Sequence, residues 1–178
     1  MAVAKANKIL GMLKNTFKYW DVENTKLLYC SLVRPHLEFA SSVWSPQLKG
    51  NIDKLEKVQK RATRLPIETR HLTYEERLKV FNLQSLESRR KRGDLIQYYK
   101  IINGLDVINW HVEIPNKINH ERLRGHNFKI ERELTKFGPR FNFFRNRIST
   151  EWNKLEKNIV TAKNLNQFKA KLDEMLNK

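Results

Sequence analysis

The sequence is poor in the residues around which several classes of protein are built. It has one cysteine, six glycines and five prolines among 178 residues. A single cysteine excludes an internal disulfide and the paired cysteines of a zinc knuckle or finger. The glycines form no GxxxxGK[ST] phosphate loop, GxGxxG turn or GxSxG elbow. The usual signatures of nucleotide hydrolysis and acyl transfer are therefore missing.

Long apolar runs and clustered carboxylates are missing as well. No apolar run approaches the roughly 20 residues that cross a bilayer, and lysines interrupt the N-terminal stretch where a signal peptide would be apolar. Adjacent acids occur only at Glu75-Glu76 and Asp173-Glu174, in predicted helices where neighbouring side chains diverge. Two-metal phosphoryl transfer needs carboxylates that converge. We therefore predict no catalytic residue, metal or cofactor, and a soluble protein of the nucleus, the cytoplasm or both.

Positive charge is the strongest feature of the sequence. Lysine and arginine total 35 against 19 acidic residues, which gives a net charge of +16. Residues 49–103 carry a net +7 and residues 116–147 a net +6. Such charge repels itself in a compact protein, and a bound polyanion relieves the repulsion. Nucleic acid is therefore the leading partner, with a merely basic protein and an anionic lipid surface as the alternatives.

Apolar residues recur at three- and four-residue spacing over most of the chain, which predicts helices. We expect a mainly α fold, a basic helical bundle of about six or seven helices in one or two lobes. At most a short strand or hairpin lies near 126–133. The predicted regions are a thumb-like helical region at 1–104, an irregular connection at 105–127 and a C-terminal basic helical region at 128–178.

Local signals predict where several helices begin and end. Pro35 should kink or split the second helix. Thr73 and Glu76 have the spacing of a capping box. Ser85 can cap the helix that follows it, and Gly104 can end that helix.

Three groups of basic residues are candidates for binding phosphates. The first lies on the helix after Pro46, facing away from its apolar stripe, and the second occupies four consecutive positions, of which at least one should meet the core. In the third, arginines alternate with phenylalanines; we expect Phe141 and Phe144 in the core and leave Phe137 and Phe143 open to base stacking. The predicted nucleic-acid-binding residues are Lys54, Lys57, Lys60, Arg61, Arg64, Arg89, Arg90, Lys91, Arg92, Arg122, Arg124, Arg140, Arg145 and Arg147.

The order of several segments resembles a known family. The segments are SLVRPHLEFASSVWSP, NIDKLEKVQKRATR, LTYEERLKVFNLQSLESRRKRGDLIQYYKIING, RGHNFKIERE and FFRNRISTEWNKLEKNIVTAKNLNQFKAKLD. Together they resemble the region after the polymerase palm in LINE-type (non-LTR) retrotransposon reverse transcriptases of the jockey-like group. The resemblance covers nearly the whole chain. It departs from the family at RLPIETRHL, which is shorter than the usual linker and lacks its glycine.

The resemblance implies a role in RNA-directed DNA synthesis. In that family an endonuclease and a polymerase with catalytic aspartates precede a basic helical thumb and tail. This chain is then expected to bind template–primer or target RNA and DNA without reading bases, beside the palm of a full-length parent, and to have no activity alone. It would be a degraded copy, a truncated gene model or a domesticated gene.

Other functions are left open by the sequence. One is a non-catalytic helical protein-interaction or structural remnant of a degraded element, and another is a standalone nuclease or polymerase, which the missing carboxylate geometry disfavours. The apolar face of residues 3–20, without a palm to cover it, predicts self-association. No membrane partner is expected.

Overall fold

The computed structural model describes residues 1–108, 128–134, 138 and 140–176. The protein is mainly helical, as predicted, and forms two compact units, Met1–Arg90 and Lys91–Lys178. No helix in these ranges is long and apolar enough to span a membrane. Most of the predicted connection at 105–127 lies outside the described residues, so the three predicted regions stay predictions.

The first unit is built from helices of very different length. Its π-helical turn and its 3-10 turn separate α-helical segments, and the last helix continues into the second unit. The elements are α1 (Ala2–Thr16), α2 (Val22–Leu28), a π-helical turn (Tyr29–Val33), α3 (Arg34–Glu38), α4 (Ser41–Trp44), α5 (Lys49–Ala62), a 3-10 turn (Ile67–Thr69), α6 (Tyr74–Val80) and α7 (Leu86–Ile102).

The predicted interruption at Pro35 takes the form of a π-helical turn between α2 and α3, without a break in the helix. Proline lacks the N–H that an α-helix needs, and its ring clashes with the carbonyl four residues earlier. The chain widens just before it into the π-helical turn, where the Arg34 N–H donates to the carbonyl oxygen of Tyr29. The helix then ends at Phe39, and Ala40 takes a left-handed conformation with φ of 51°.

The core of the first unit forms where α1 meets α3 and α5. Ala6, Leu10 and Leu13 of α1 are buried together with Leu37 and Val58. The prediction that the apolar face of residues 3–20 is exposed is therefore wrong for Ala6, Leu10 and Leu13, which pack with α3 and α5, whereas Phe17 is exposed. Self-association, which was predicted from that face, stays a prediction without this support.

Three predicted helix signals are confirmed. The Thr73 hydroxyl accepts a hydrogen bond from the Glu76 N–H, and the Glu76 carboxylate accepts one from the Thr73 N–H at 2.7 Å. The Ser85 hydroxyl accepts from the Ser88 N–H at 3.1 Å. Gly104 ends α7 with φ of 67°, a conformation that glycine adopts without strain.

The second unit packs the end of α7 against α8 (Phe144–Lys154), α9 (Lys157–Val160) and α10 (Leu165–Leu176). Trp152 lies at its centre and is fully buried. Its ring meets Tyr98 edge to face at a centroid distance of 4.7 Å. Tyr99 stacks on Phe168 at 4.2 Å.

The segment near 126–133 forms no strand over residues 128–134, and 126–127 lie outside the described residues. The Asn153 side chain forms two hydrogen bonds with the backbone of Ile130, as a neighbouring strand would. Its amide oxygen accepts from the Ile130 N–H at 2.8 Å, and its amide nitrogen donates to the Ile130 carbonyl at 2.9 Å. No strand forms over residues 128–134, where the sequence allowed at most a short one, and the Ile130 backbone pairs with a side chain of α8.

Candidate nucleic-acid interface

The outer face of α5 carries the first predicted group of basic residues. Helical geometry of about 100° per residue turns Lys57 and Lys60 away from the buried side chains of Leu55, Val58 and Ala62, and places Lys54 and Arg61 beside that buried stripe. Within the described ranges, none of the group forms an ion pair with a carboxylate. The group, which we call the α5 face, is exposed and consists of four residues of α5 and one of the turn after it: Lys54, Lys57, Lys60, Arg61 and Arg64.

The inner face of α5 is fixed by a chain of hydrogen bonds through Gln59. Tyr29 donates to the Gln59 amide oxygen at 2.7 Å, and the Gln59 amide nitrogen donates to the Tyr74 hydroxyl at 2.9 Å. The Tyr74 hydroxyl donates in turn to Glu56, which also accepts the Leu86 N–H at 3.1 Å. These contacts tie α5 to the π-helical turn, α6 and α7, and so hold the α5 face outward.

Tyr29 and Tyr74, the two tyrosines that hydrogen-bond to Gln59, stay protonated. Burial, followed by the charge of Glu38, raises the pKa of Tyr29 well above its ordinary value. Burial and then the hydrogen bond to Glu56 raise the pKa of Tyr74 in the same way. Each phenol can therefore donate its hydrogen bond at any physiological pH.

A groove between α1 and the C-terminal end of α5 extends the α5 face. It encloses about 550 Å³, and Asn7, Leu10, Gly11 and Leu65 form its apolar and neutral walls. The charged side chains among its described lining residues are all cationic: Lys14, Arg61, Arg64 and Arg70. We call this site the basic groove. Its arrangement suits a phosphate group, which needs several cations at short range.

Two residues of the basic groove were missed by sequence reasoning. Lys14 belongs to a helix whose charge is ordinary, and Arg70 follows the 3-10 turn after Pro66. The Arg70 side chain donates to the Leu65 carbonyl at 3.3 Å, which holds it at the groove. No local pattern identifies either residue, because the groove forms only when α1 packs on α5.

No protein-family model, curated protein or solved structure matches the chain.

The second predicted group, Arg89 to Arg92, does not form one surface. Arg89 pairs with Glu38 through two hydrogen bonds, one of them at 3.0 Å. Arg90 is only 4% exposed, as expected for at least one of four consecutive positions. Arg92 pairs with Asp173 through two hydrogen bonds, the second at 2.7 Å, and Lys91 is exposed. At least two of the four charges thus already have carboxylate partners.

In the third predicted group, two of the three arginines that the structure describes are paired with carboxylates. Arg147 holds Asp94 at 2.8 and 3.0 Å, with side chains only 12% and 6% exposed. Arg140 pairs with Glu133 at 2.6 Å on the surface, and Arg145 is half-buried. Predicted residues Arg122 and Arg124 lie outside the described residues.

The phenylalanines of this group differ in exposure. Phe144 is buried, as expected, whereas Phe141 is half-buried under the guanidinium of Arg132 at 4.4 Å. Phe143 is exposed, and Phe137 lies outside the described residues. Of the three predicted groups, the α5 face alone keeps all of its charges exposed.

Proposed function

We propose that the α5 face and the basic groove bind the phosphate backbone of nucleic acid without reading its sequence. The proposal is supported mainly by the exposure of the α5 face, whose cations have no described carboxylate partner. This face continues into the basic groove, which is lined by four cations. Such a surface fits a polyanion because binding releases the counterions condensed on the phosphates. The chain itself then carries out no catalysis.

The spacing of the cations suits an extended phosphate backbone. Lys54, Lys57, Arg61 and Arg64 follow one another at intervals of three or four residues. At a rise of about 1.5 Å per residue, the helical part of this stripe from Lys54 to Arg61 is roughly 10 Å long. One strand of a duplex places a phosphate about every 3.4 Å along its axis, so several phosphates lie within reach. Lysine and arginine side chains then contact phosphates rather than base edges, and specificity is low.

The resemblance to non-LTR reverse transcriptases supplies the context for this proposal. We infer that the chain is the thumb and C-terminal segment of an RNA-directed DNA polymerase, holding template–primer or target nucleic acid beside a separate catalytic palm. RNA and DNA are its partners, and its place in the cell is intracellular. The exposed cations of α5 support the binding part of this role.

A matched pair of variants tests the binding proposal. Replacing Lys54, Lys57 and Arg64 by glutamine removes three charges from the α5 face. The control replaces Lys154, Lys157 and Lys163, which are also exposed, and removes three charges elsewhere. Fluorescence anisotropy with labelled RNA and DNA duplexes should show a large loss of affinity for the first variant and a much smaller one for the control. Equal losses in both variants would contradict the proposal.

An exposed apolar surface favours a second candidate function, a helical protein-interaction element. Phe39 and Val43 are 80% and 83% exposed, and Leu48 is also exposed. Exposed apolar patches of this kind mark protein interfaces. In that case sedimentation would reveal concentration-dependent assembly that Val43→Ser abolishes, and the substitutions on the α5 face would leave assembly unchanged.

A further inference from the structure

A second pocket of about 470 Å³ adjoins the basic groove and shares Leu65 and Arg70 with it. Tyr19, Trp20 and Ile67 form its apolar walls. The Tyr19 ring is 91% exposed, the highest exposure of any described aromatic side chain. A ring so exposed contributes little to the core, and its position in a pocket that adjoins the basic groove therefore points to a ligand with a flat face.

The neighbouring residues explain why Tyr19 stays exposed. The chain leaves helical geometry at Phe17, and the Trp20 indole N–H donates to the Phe17 carbonyl at 3.0 Å. The Phe17 and Trp20 rings meet edge to face at 6.0 Å. Trp20 is thus anchored on the protein, whereas Tyr19 between them extends into water at the mouth of the pocket.

The two pockets differ in charge. In the basic groove the charged lining residues are all cations. In the second pocket, Asp21 and Glu68 balance Lys18 and Arg70 around an apolar wall. A phosphate therefore favours the groove, and an uncharged, flat group favours the second pocket. Carboxylates can also accept hydrogen bonds from the amino groups of nucleobases.

We propose that these adjoining pockets bind an unpaired nucleotide of single-stranded RNA or DNA, with its phosphate at Arg64 and Arg70 and its base stacked on Tyr19. This inference rests on the proposed function and adds a substrate class to it. Bases within a duplex are stacked on one another and cannot reach Tyr19, whereas single strands expose a face of every base. Single strands should therefore gain a contact that duplexes lack.

The test compares single-stranded and duplex DNA with the full chain and two Tyr19 variants. Tyr19→Ala should weaken binding of a single strand of about 16 nucleotides by about 5-fold to 150-fold, the range measured for loss of one stacked base. Tyr19→Phe keeps the ring and should bind like the wild type. Binding of the duplex should be the same in all three. A single strand that contains the fluorescent base 2-aminopurine reports stacking through quenching. Its fluorescence should fall on binding to the wild type and to Tyr19→Phe, but not on binding to Tyr19→Ala.

The possible outcomes separate this inference from the proposed function. If the wild type binds neither duplex nor single strand, the proposed function fails and the inference with it. Another outcome is that the wild type binds both duplex and single strand. If Tyr19→Ala then binds the single strand as tightly as the wild type does, and quenches 2-aminopurine as strongly, the inference alone is overturned. Because Tyr19 is exposed, Tyr19→Ala should unfold at the wild-type temperature, and a melt measured by circular dichroism checks this.

Discussion

Arg61 donates a hydrogen bond of 3.1 Å to the side-chain oxygen of Asn7, across 54 positions of sequence. This contact joins α5 to α1 at the basic groove. The partner is a neutral amide, so it orients the guanidinium without removing its charge. The groove therefore keeps Arg61 both fixed and cationic, which favours anion binding.

A carboxylate in place of Asn7 should weaken nucleic-acid binding. Asn7→Asp places a negative charge within hydrogen-bond distance of Arg61, which then loses a phosphate contact. The slope of log Kd against log salt for a duplex should fall by about 0.9, the value for one phosphate. The control Asn7→Ala removes the hydrogen bond but no charge, and it should keep the wild-type slope. If Asn7→Asp keeps the wild-type slope, Arg61 does not contact a phosphate and the prediction is wrong.

Gln59 should be important for stability. Gln59→Leu preserves the volume of a fully buried side chain but leaves the Tyr29 hydroxyl without its acceptor. A buried polar group that loses its partner costs about 1–3 kcal/mol, so the free energy of unfolding should fall by that amount. Urea denaturation measures it. The control Gln47→Leu changes an exposed glutamine and should alter stability by less than about 0.5 kcal/mol. Equal effects in both variants would argue against the network.

The buried Arg147–Asp94 pair gives a prediction for the second unit. Asp94→Asn removes the charge that faces a guanidinium only 12% exposed. Breaking one side of a buried ion pair costs about 3–5 kcal/mol, so thermal unfolding should shift strongly downward. The control is Glu133→Gln at the exposed pair with Arg140, where solvent screens the charges and no measurable shift is expected. An Asp94→Asn variant that unfolds at the wild-type temperature would contradict the claim that this pair stabilises the protein.

Asp173 should make stability depend on pH in the acid range. The hydrogen bond from Arg92 lowers the pKa of Asp173 in the folded protein below its ordinary value. The folded state therefore binds fewer protons than the unfolded state, and the contribution is fully present above the unfolded pKa, about 3.9. It is lost as the pH falls through the lower, folded pKa. Urea titrations should show this loss in the wild type and a smaller one in Asp173→Asn; equal acid sensitivity would contradict the assignment.

Features decided by neighbouring residues were predictable from the sequence. The capping box of Thr73 and Glu76, the interruption at Pro35 and the end of α7 at Gly104 each depend on contacts within about one helical turn. The α5 face belongs to this class too, because helical periodicity alone separates its basic residues from its apolar ones. These predictions needed no knowledge of how the helices pack.

Features decided by distant residues were not predictable. The carboxylate partners of Arg89 and Arg92 lie 51 and 81 positions away, so sequence reasoning could not show which cations are already paired. Lys14 reaches the basic groove only because α1 packs on α5. The hydrogen bond from the Ile130 N–H to the side chain of Asn153, more than 20 positions away, was unpredictable for the same reason.

The salt dependence of duplex binding tests the central claim most directly. Log Kd is measured against log salt concentration for the wild type and for the variant with glutamine at positions 54, 57 and 64. We predict a steep wild-type dependence and a slope smaller by about 0.9 for each lost phosphate contact, which is about 2.7 for three. A flat dependence in the wild type, or the same slope in both proteins, would contradict the claim that the α5 face binds the nucleic-acid backbone.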